Sequence, residues 1–431
     1  TDGDDGFERT LAELAHRGDT DLDQVEEAVR KIVQDVRKGG DAAVRKYVAQ
    51  FEKRSPESLL IRDYGGEEAL ARLEPDLRDA LVTAAERIRR YHEKQNEQLR
   101  TFEYVEDGVT LSSRVTAVQR AGIYAPGGKA CYPSSVLMCA VPARVAGVKE
   151  IYLASPDTSV EVRAACHLAG VTALVDAGGA QAIAALAYGT ESIPAVDKIV
   201  GPGNIYVAAA KRLVFGQVDI DSIAGPSEIL VLADESANPA VVAADLLSQA
   251  EHDEDAYALL VTVGAATAAR VQAEVTRQLA ALPEKDSRGK ARRAVAEESI
   301  RRHGVVLVVE SVDRLVELAN TLAAEHVSIQ TNDARAIADR ITRAGALFVG
   351  HMTPEAAGDY LAGPSHVLPT GGAARYGAPL GVYDFVKRTS VIRYDRAALD
   401  AQARHITAFA RVEGLEAHAR AVEARTSRSR K

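Results

Sequence analysis

Tryptophan is absent from these 431 residues and aromatic residues make up only 5%, too few for the stacking platforms that grip single-stranded nucleic acid. An excess of positive charge is missing as well. The formal net charge of -9 excludes a broad phosphate-binding surface, so no nucleic-acid partner is expected. The basic runs Arg87-Ile88-Arg89-Arg90 and Lys290-Ala291-Arg292-Arg293 sit in mixed-charge sequence and read as solvated helix faces. No apolar run approaches the ~18–20 residues that cross a bilayer, so no membrane partner is expected. The acidic start Thr1-Asp2-Gly3-Asp4-Asp5 has no apolar signal region, and the expected localisation is cytoplasmic. The three cysteines, Cys131, Cys139 and Cys166, form neither an even set nor a close metal-ligand pair and read as reduced thiols. Also lacking is a Gly-x-Gly-x-x-Gly turn between strand and helix with an acid about 20 residues on.

What is present is an alternation of short apolar runs, glycine turns and helical segments. Residues 21–51 and 66–104 carry apolar positions at three-to-four spacing and read as helix. From Ala121 onward, Val148 to Ala154, Val171 to Asp176, Asp197 to Val200 and Ile229 to Leu232 read as buried strands. Ala180 to Tyr188 and Ile205 to Phe215 read as the helices between them. A second stretch over 235–380 offers a helix at Ala240 to Glu251 and strands at Ala258 to Val263, Gly304 to Val309, around Ile329 and at Ala346 to Val349. Such alternation predicts parallel, helix-covered sheets. The expected class is α/β, with two incomplete Rossmann-like parallel-sheet domains and helical N- and C-terminal segments.

Four segments carry side chains able to do chemistry. In Ser248-Gln249-Ala250-Glu251-His252, Gln249 and His252 share a helix face, as ligands or simply as a helix end. In Glu325-His326, adjacent side chains diverge by about 100° if helical and can address two atoms of one substrate, or both can be surface residues. Asp359 precedes the loop Gly363-Pro364-Ser365-His366; it is a hard oxygen ligand or a helix cap, and His366 supports it or makes a structural hydrogen bond. In Glu413-Gly414-Leu415-Glu416-Ala417-His418, Gly414 puts Glu413 before a helix and His418 inside it.

Taken in order, with the segments around them, these motifs resemble the histidinol dehydrogenase family from about residue 20 to 425. The resemblance is carried by Gly122-Ile123-Tyr124-Ala125-Pro126-Gly127-Gly128, Gly178-Gly179-Ala180-Gln181-Ala182-Ile183, Val196 to Asn204 (with Gly201-Pro202-Gly203-Asn204), Ile223-Ala224-Gly225-Pro226-Ser227-Glu228 and the four segments above. It implies an NAD-linked, zinc-dependent oxidation of L-histidinol through histidinal to L-histidine, the last step of histidine biosynthesis, consuming two NAD per turnover. It further implies Gln249, His252, Asp359 and His418 as ligands of one zinc ion per subunit, and Glu325 and His326 as the catalytic pair. Ser227, His326 and Glu413, with the zinc ligands, would contact substrate, and Tyr124, Gln181 and Asn204 would contact NAD. No role is assigned to Cys131.

The expected division is an N-terminal helical segment 1–20, a first α/β domain of 21–121 plus 235–380 bearing zinc and catalytic residues, and a second α/β domain 122–234 on the NAD side. A helical tail 381–431 would be exchanged in a homodimer, giving His418 to the partner's site. The glycine turns at Gly178 and Gly201 would bring backbone near a nucleotide at helix N-termini. Two other readings are weighed: a metallohydrolase using Glu325 as base, which needs no NAD, and a scaffold whose His and Asp residues bind no metal.

Overall fold

The computed structural model describes residues 1–4, 6–17, 22–127, 132–223, 225–286 and 289–426; Cys131 and residues 427–431 lie outside them. Two parallel sheets form the frame. The first contains β1 (Leu60–Ile61), β4 (Arg120–Tyr124), β5 (Glu150–Ala154), β6 (Ala173–Val175), β7 (Lys198–Val200) and β8 (Asp219–Ile220), in the order β1-β6-β5-β4-β7-β8. All its pairings are parallel except β1 with β6. The second contains β9 (Glu228–Ala233), β10 (Tyr257–Val263), β11 (Gly304–Val309), β12 (His326–Gln330) and β13 (Ala346–Val349), in the order β11-β10-β9-β12-β13, all parallel. Central strands such as Glu228–Ala233 are buried along their whole length, because helices cover both sheet faces. That is why they read as unbroken apolar runs rather than alternating ones.

The boundaries expected from composition need two corrections. β9 pairs with β10 and β12, so it belongs to the second sheet and not with 122–234. The helices Asp23–Tyr47 and Pro75–Asn96 cover the first sheet rather than joining 235–380. Val29, Val36 and Val44 pack with Ile183 and Leu186, and Leu81, Ala84 and Ile88 pack with Leu137 and Leu153. An amphipathic stripe states that a helix must be covered; it does not state by which sheet. The N-terminal helix Phe7–Ala15 does reach the second sheet, through Phe7, Leu11 and Leu14.

A third sheet departs from the helical reading of 66–104 and of the tail. β2 (Phe102–Glu106), β3 (Val109–Ala117) and β14 (Val386–Tyr394) form an antiparallel sheet in the order β14-β3-β2. Its hairpin turns on Asp107 (φ 48) and Gly108 (φ 78), the left-handed pair that an Asp-Gly dipeptide supplies. Beyond it, the tail helices Arg396–Val412 and Glu416–Thr426 pack chiefly on each other.

In the first sheet the strand order reverses between β4 and β7, the position where open α/β sheets bind ligands. The turn after β7 is tightly built. Gly201 has φ +113, and a Cβ there would lie 2.1 Å from the Tyr124 carbonyl oxygen. Its amide donates to Asp221 Oδ2 at 2.8 Å and its carbonyl accepts from Lys211 Nζ at 3.1 Å. Gly201→Ala is therefore expected to cost at least ~1–3 kcal/mol of stability, read as a lowered denaturant midpoint.

Candidate active site

Crossover helices run antiparallel to the strands they join, so their C-terminal ends return to the N-terminal edge of the sheet. That geometry assembles the site. Helix Pro239–Ala250 brings Gln249 and, just beyond it, His252 back to the edge where β9 and β12 begin. Helix Glu355–Tyr360, after β13, returns Glu355 and Asp359 to the same edge. Glu325 and His326 stand there at the opening of β12, not on a helix, following the left-handed Ala323 (φ 46). Although a strand alternates its side chains, His326 Nδ1 and Glu325 Oε2 come within 3.6 Å.

The pair is buried and held by Glu228. The Glu228 amide donates to Glu325 Oε2 at 2.9 Å, and the Glu228 carbonyl accepts from His326 Nδ1 at 3.0 Å. A carbonyl only accepts, so Nδ1 carries the proton and the lone pair stands on Nε2. Nε2 is buried with no hydrogen-bond partner. It looks instead towards two carboxyl groups, Glu355 Oε1 at 3.8 Å and Asp359 Oδ1 at 3.9 Å. Burial lowers the imidazole to about 4, leaving it neutral at physiological pH. Burial first, then the like charges of Glu228, Glu355 and Asp359, raises the Glu325 carboxyl well above its usual range, against the hydrogen bond from the Glu228 amide. Burial and Asp359 likewise push Glu355 up to about 8, while Ser248 Oγ donates to it at 3.1 Å.

Asp359 is steadied from the loop. His366 Nδ1 donates to the Asp359 carbonyl at 3.1 Å, and His366 Nε2 meets Ser135 Oγ at 3.4 Å. Ser135 lies in the first turn of helix Pro133–Ala146, which follows β4. The N-terminal edge of the second sheet thus faces the C-terminal edge of the first across this contact.

Of the residues expected from sequence, Gln249, Asp359, Glu325 and His326 meet at this edge. His252, exposed, lies within electrostatic reach of His326 and His366, and Ser227 is adjacent to Glu228. Glu413, at the end of Arg396–Val412, and His418, in Glu416–Thr426, stand exposed on the tail. Among the described residues, the ligand atoms of His326, Glu355 and Asp359 lie within 4.8 Å of one another, a group sharing only Asp359 with the expected quartet. The donor chemistry fits a cation: Gln249 Oε1 is a buried acceptor without a donor, and the Glu355 and Asp359 carboxyl oxygens stand close by.

Tyr124, Gln181 and Asn204 all stand at the C-terminal edge of the first sheet, Tyr124 ending β4 and the other two following β6 and β7. Backbone does come to this edge at the Gly178 turn, where two amides are already bonded within the chain. The Gly178 amide donates to Glu52 Oε1 at 2.9 Å, the Gly179 amide to the Tyr124 hydroxyl at 3.0 Å, and Gln181 Nε2 also reaches Glu52 Oε1 at 3.3 Å. The helix N-terminus is closed by the chain's own groups. Asn204 Oδ1 caps helix Ile205–Val214 through the Tyr206 and Val207 amides, leaving its amide nitrogen for other partners.

Sequence reasoning missed Glu52, Glu228 and Glu355. Glu355 precedes Asp359 by one helical turn, a spacing that puts both on one face; Glu228 and Glu52 carried no such signal.

A family model described as Histidinol dehydrogenase matches residues 15–426. The histidinol dehydrogenase of Bacillus subtilis is 50% identical over 415 residues, 95% of each chain. That of Syntrophotalea carbinolica is 49% identical over 428 residues, 98% of this chain and 97% of its own. Among solved structures, the histidinol dehydrogenase of Elizabethkingia anophelis matches with a TM-score of 0.89 at 32% identity, covering 97% of this chain and 95% of that one.

Proposed function

The chain belongs to the histidinol dehydrogenase family, and from that premise we propose that it oxidises L-histidinol through histidinal to L-histidine with two NAD in succession. The observation that carries the reading is the neutral, buried His326, with Nδ1–H fixed to a carbonyl and Nε2 unpartnered. That is a base aimed at a substrate proton. His326 takes the alcohol proton in the first half. Glu325, its carboxyl raised by burial, takes a proton from water as the water adds to the aldehyde. His326 then serves the second oxidation. NAD, when bound, would supply the hydride acceptor for each half. Zinc, when bound, supplies a template for the imidazole and amino nitrogens of the substrate, and Gln249, His252, Asp359 and His418 would hold it. Tyr124, Gln181 and Asn204 would receive the nicotinamide cofactor at the facing edge, beside the strand-order reversal. The enclosed position of Glu325 and His326 keeps the aldehyde from bulk water.

Incubation with L-histidinol and NAD should yield two reduced nicotinamides per L-histidine. Product formed without NAD would overturn the proposal in favour of a hydrolase.

His252→Ala and Asp359→Ala should each lose most bound metal, since each removes one of few ligands, while the fold persists. Metal analysis of untagged protein, with circular dichroism alongside, checks this; stoichiometric zinc at native affinity in either variant would reject the ligand assignment.

Phe102, Tyr104, Val105 and Ile392 on the third sheet, and Phe409, Val412 and Leu415 on the tail, are exposed apolar side chains, Val412 to 88%. Such exposed apolar side chains support a second copy of this chain as the partner, with its tail completing the site.

A further inference from the structure

The catalytic pair is held by a device that spans the chain from its N-terminal segment. Glu228 commits both carboxylate oxygens. Oε1 accepts from the Glu325 amide at 3.1 Å and from the Gly371 amide at 3.1 Å, and Oε2 is bonded by Arg17 Nε. Arg17 in turn donates from Nη1 to the Leu14 carbonyl at 2.7 Å and from Nη2 to the Leu322 carbonyl at 2.8 Å. Both side chains are 1% exposed.

The consequence lies in where these bonds land. Leu322 ends the helix Val312–Leu322, and Ala323 turns left-handed before Glu325 and His326. Arg17 grips the near side of that turn and Glu228 the far side. The turn that aims the catalytic pair is thereby clamped between two charges. Through Gly371 the same carboxylate also fixes the loop that carries His366.

Stability alone is a poor reason for such a pair. Replacing a buried ion pair by apolar residues of similar size is often neutral or stabilising, because desolvation consumes the Coulombic gain. Position is the better reason, since small displacements of a base cost large factors in rate. We infer that Arg17 and Glu228 are positioning residues for Glu325 and His326, so that the N-terminal segment is part of the catalytic apparatus. This rests on the proposed roles of Glu325 and His326.

The test is a double variant, Arg17→Met with Glu228→Leu, which removes both charges together. It also unpairs the Glu325 and Gly371 amides and the Leu14 and Leu322 carbonyls, so it should fold with a lowered thermal midpoint and still bind zinc. Its kcat for supplied histidinal should fall by about tenfold or more, with KM for histidinal and NAD within about threefold. A kcat within about twofold of wild type in a folded double variant overturns the inference. Should that variant not fold, Arg17→Lys keeps the charge but cannot reach Leu14 and Leu322 together. A several-fold lower kcat at unchanged KM supports the inference, and an unchanged kcat overturns it. Glu325→Gln run in parallel separates the two failures. If it too oxidises histidinal normally, the roles of the catalytic pair are at fault; if it alone is slow, the clamp is.

Discussion

Glu325→Gln is expected to slow the oxidation of supplied histidinal by ~10²–10⁴-fold, the usual worth of a positioned proton acceptor, while the alcohol half loses far less. The asymmetry follows from the chemistry of each half. Alcohol oxidation needs one proton removed, and His326 Nε2 stands ready for it. Oxidation of an aldehyde to an acid needs water added first, and that water must lose a proton. Glutamine keeps the shape of the side chain and an oxygen for the Glu228 amide, which Glu325 Oε2 now accepts at 2.9 Å. It cannot accept a proton. Burial first, then the neighbouring acids, raise the Glu325 carboxyl well above its usual range, so its carboxylate holds an accepted proton more strongly than an exposed one would. Single-turnover measurement of each half separates the effects. Unimpaired histidinal oxidation by the variant would remove Glu325 from the role.

The strands were legible because burial writes them plainly. Gly304 to Val309 and Ala346 to Val349 coincide with β11 and β13, and the runs read over 148–154, 171–176 and 197–200 contain β5, β6 and β7. In a parallel sheet covered on both faces most positions are apolar, so the run itself is the signal. β2, β3 and β14 offered no such signal, being mostly exposed or half-buried. Their one local mark was Asp107-Gly108, a hairpin turn that the helical periodicity upstream concealed.

The site was legible in part for a related reason. Gln249 and His252, or Glu355 and Asp359, are close along the chain, and helical spacing relates each pair. What joins the two pairs is the return of two crossover helices to one sheet edge, a property of topology. Glu228 is a single acid at the head of an apolar run, and nothing in its neighbourhood announces that Arg17, 211 residues earlier, closes on it. Buried charges with long-range partners leave no periodic trace.

The tail supplies the sharpest expected result. His418 sits exposed in a helix that packs chiefly on its neighbour Arg396–Val412. As the proposed ligand, His418 would reach a site by folding back or by exchange in a symmetric dimer. The exposed apolar faces of the third sheet and tail favour exchange, because folding back would have to cover them with the chain's own body. His326→Ala and His418→Ala should each be inactive alone. Mixed in equal amounts after reversible dissociation, they should regain activity at about a quarter of all sites. Half of the dimers are then mixed, and in each the His418→Ala subunit keeps its own His326 while borrowing an intact His418. The opposite site of the same dimer carries both lesions and stays silent. If His418 instead serves its own chain, every site in every combination carries one lesion. Activity remaining at zero, with mixed dimers demonstrated by native mass spectrometry, would exclude the exchanged site.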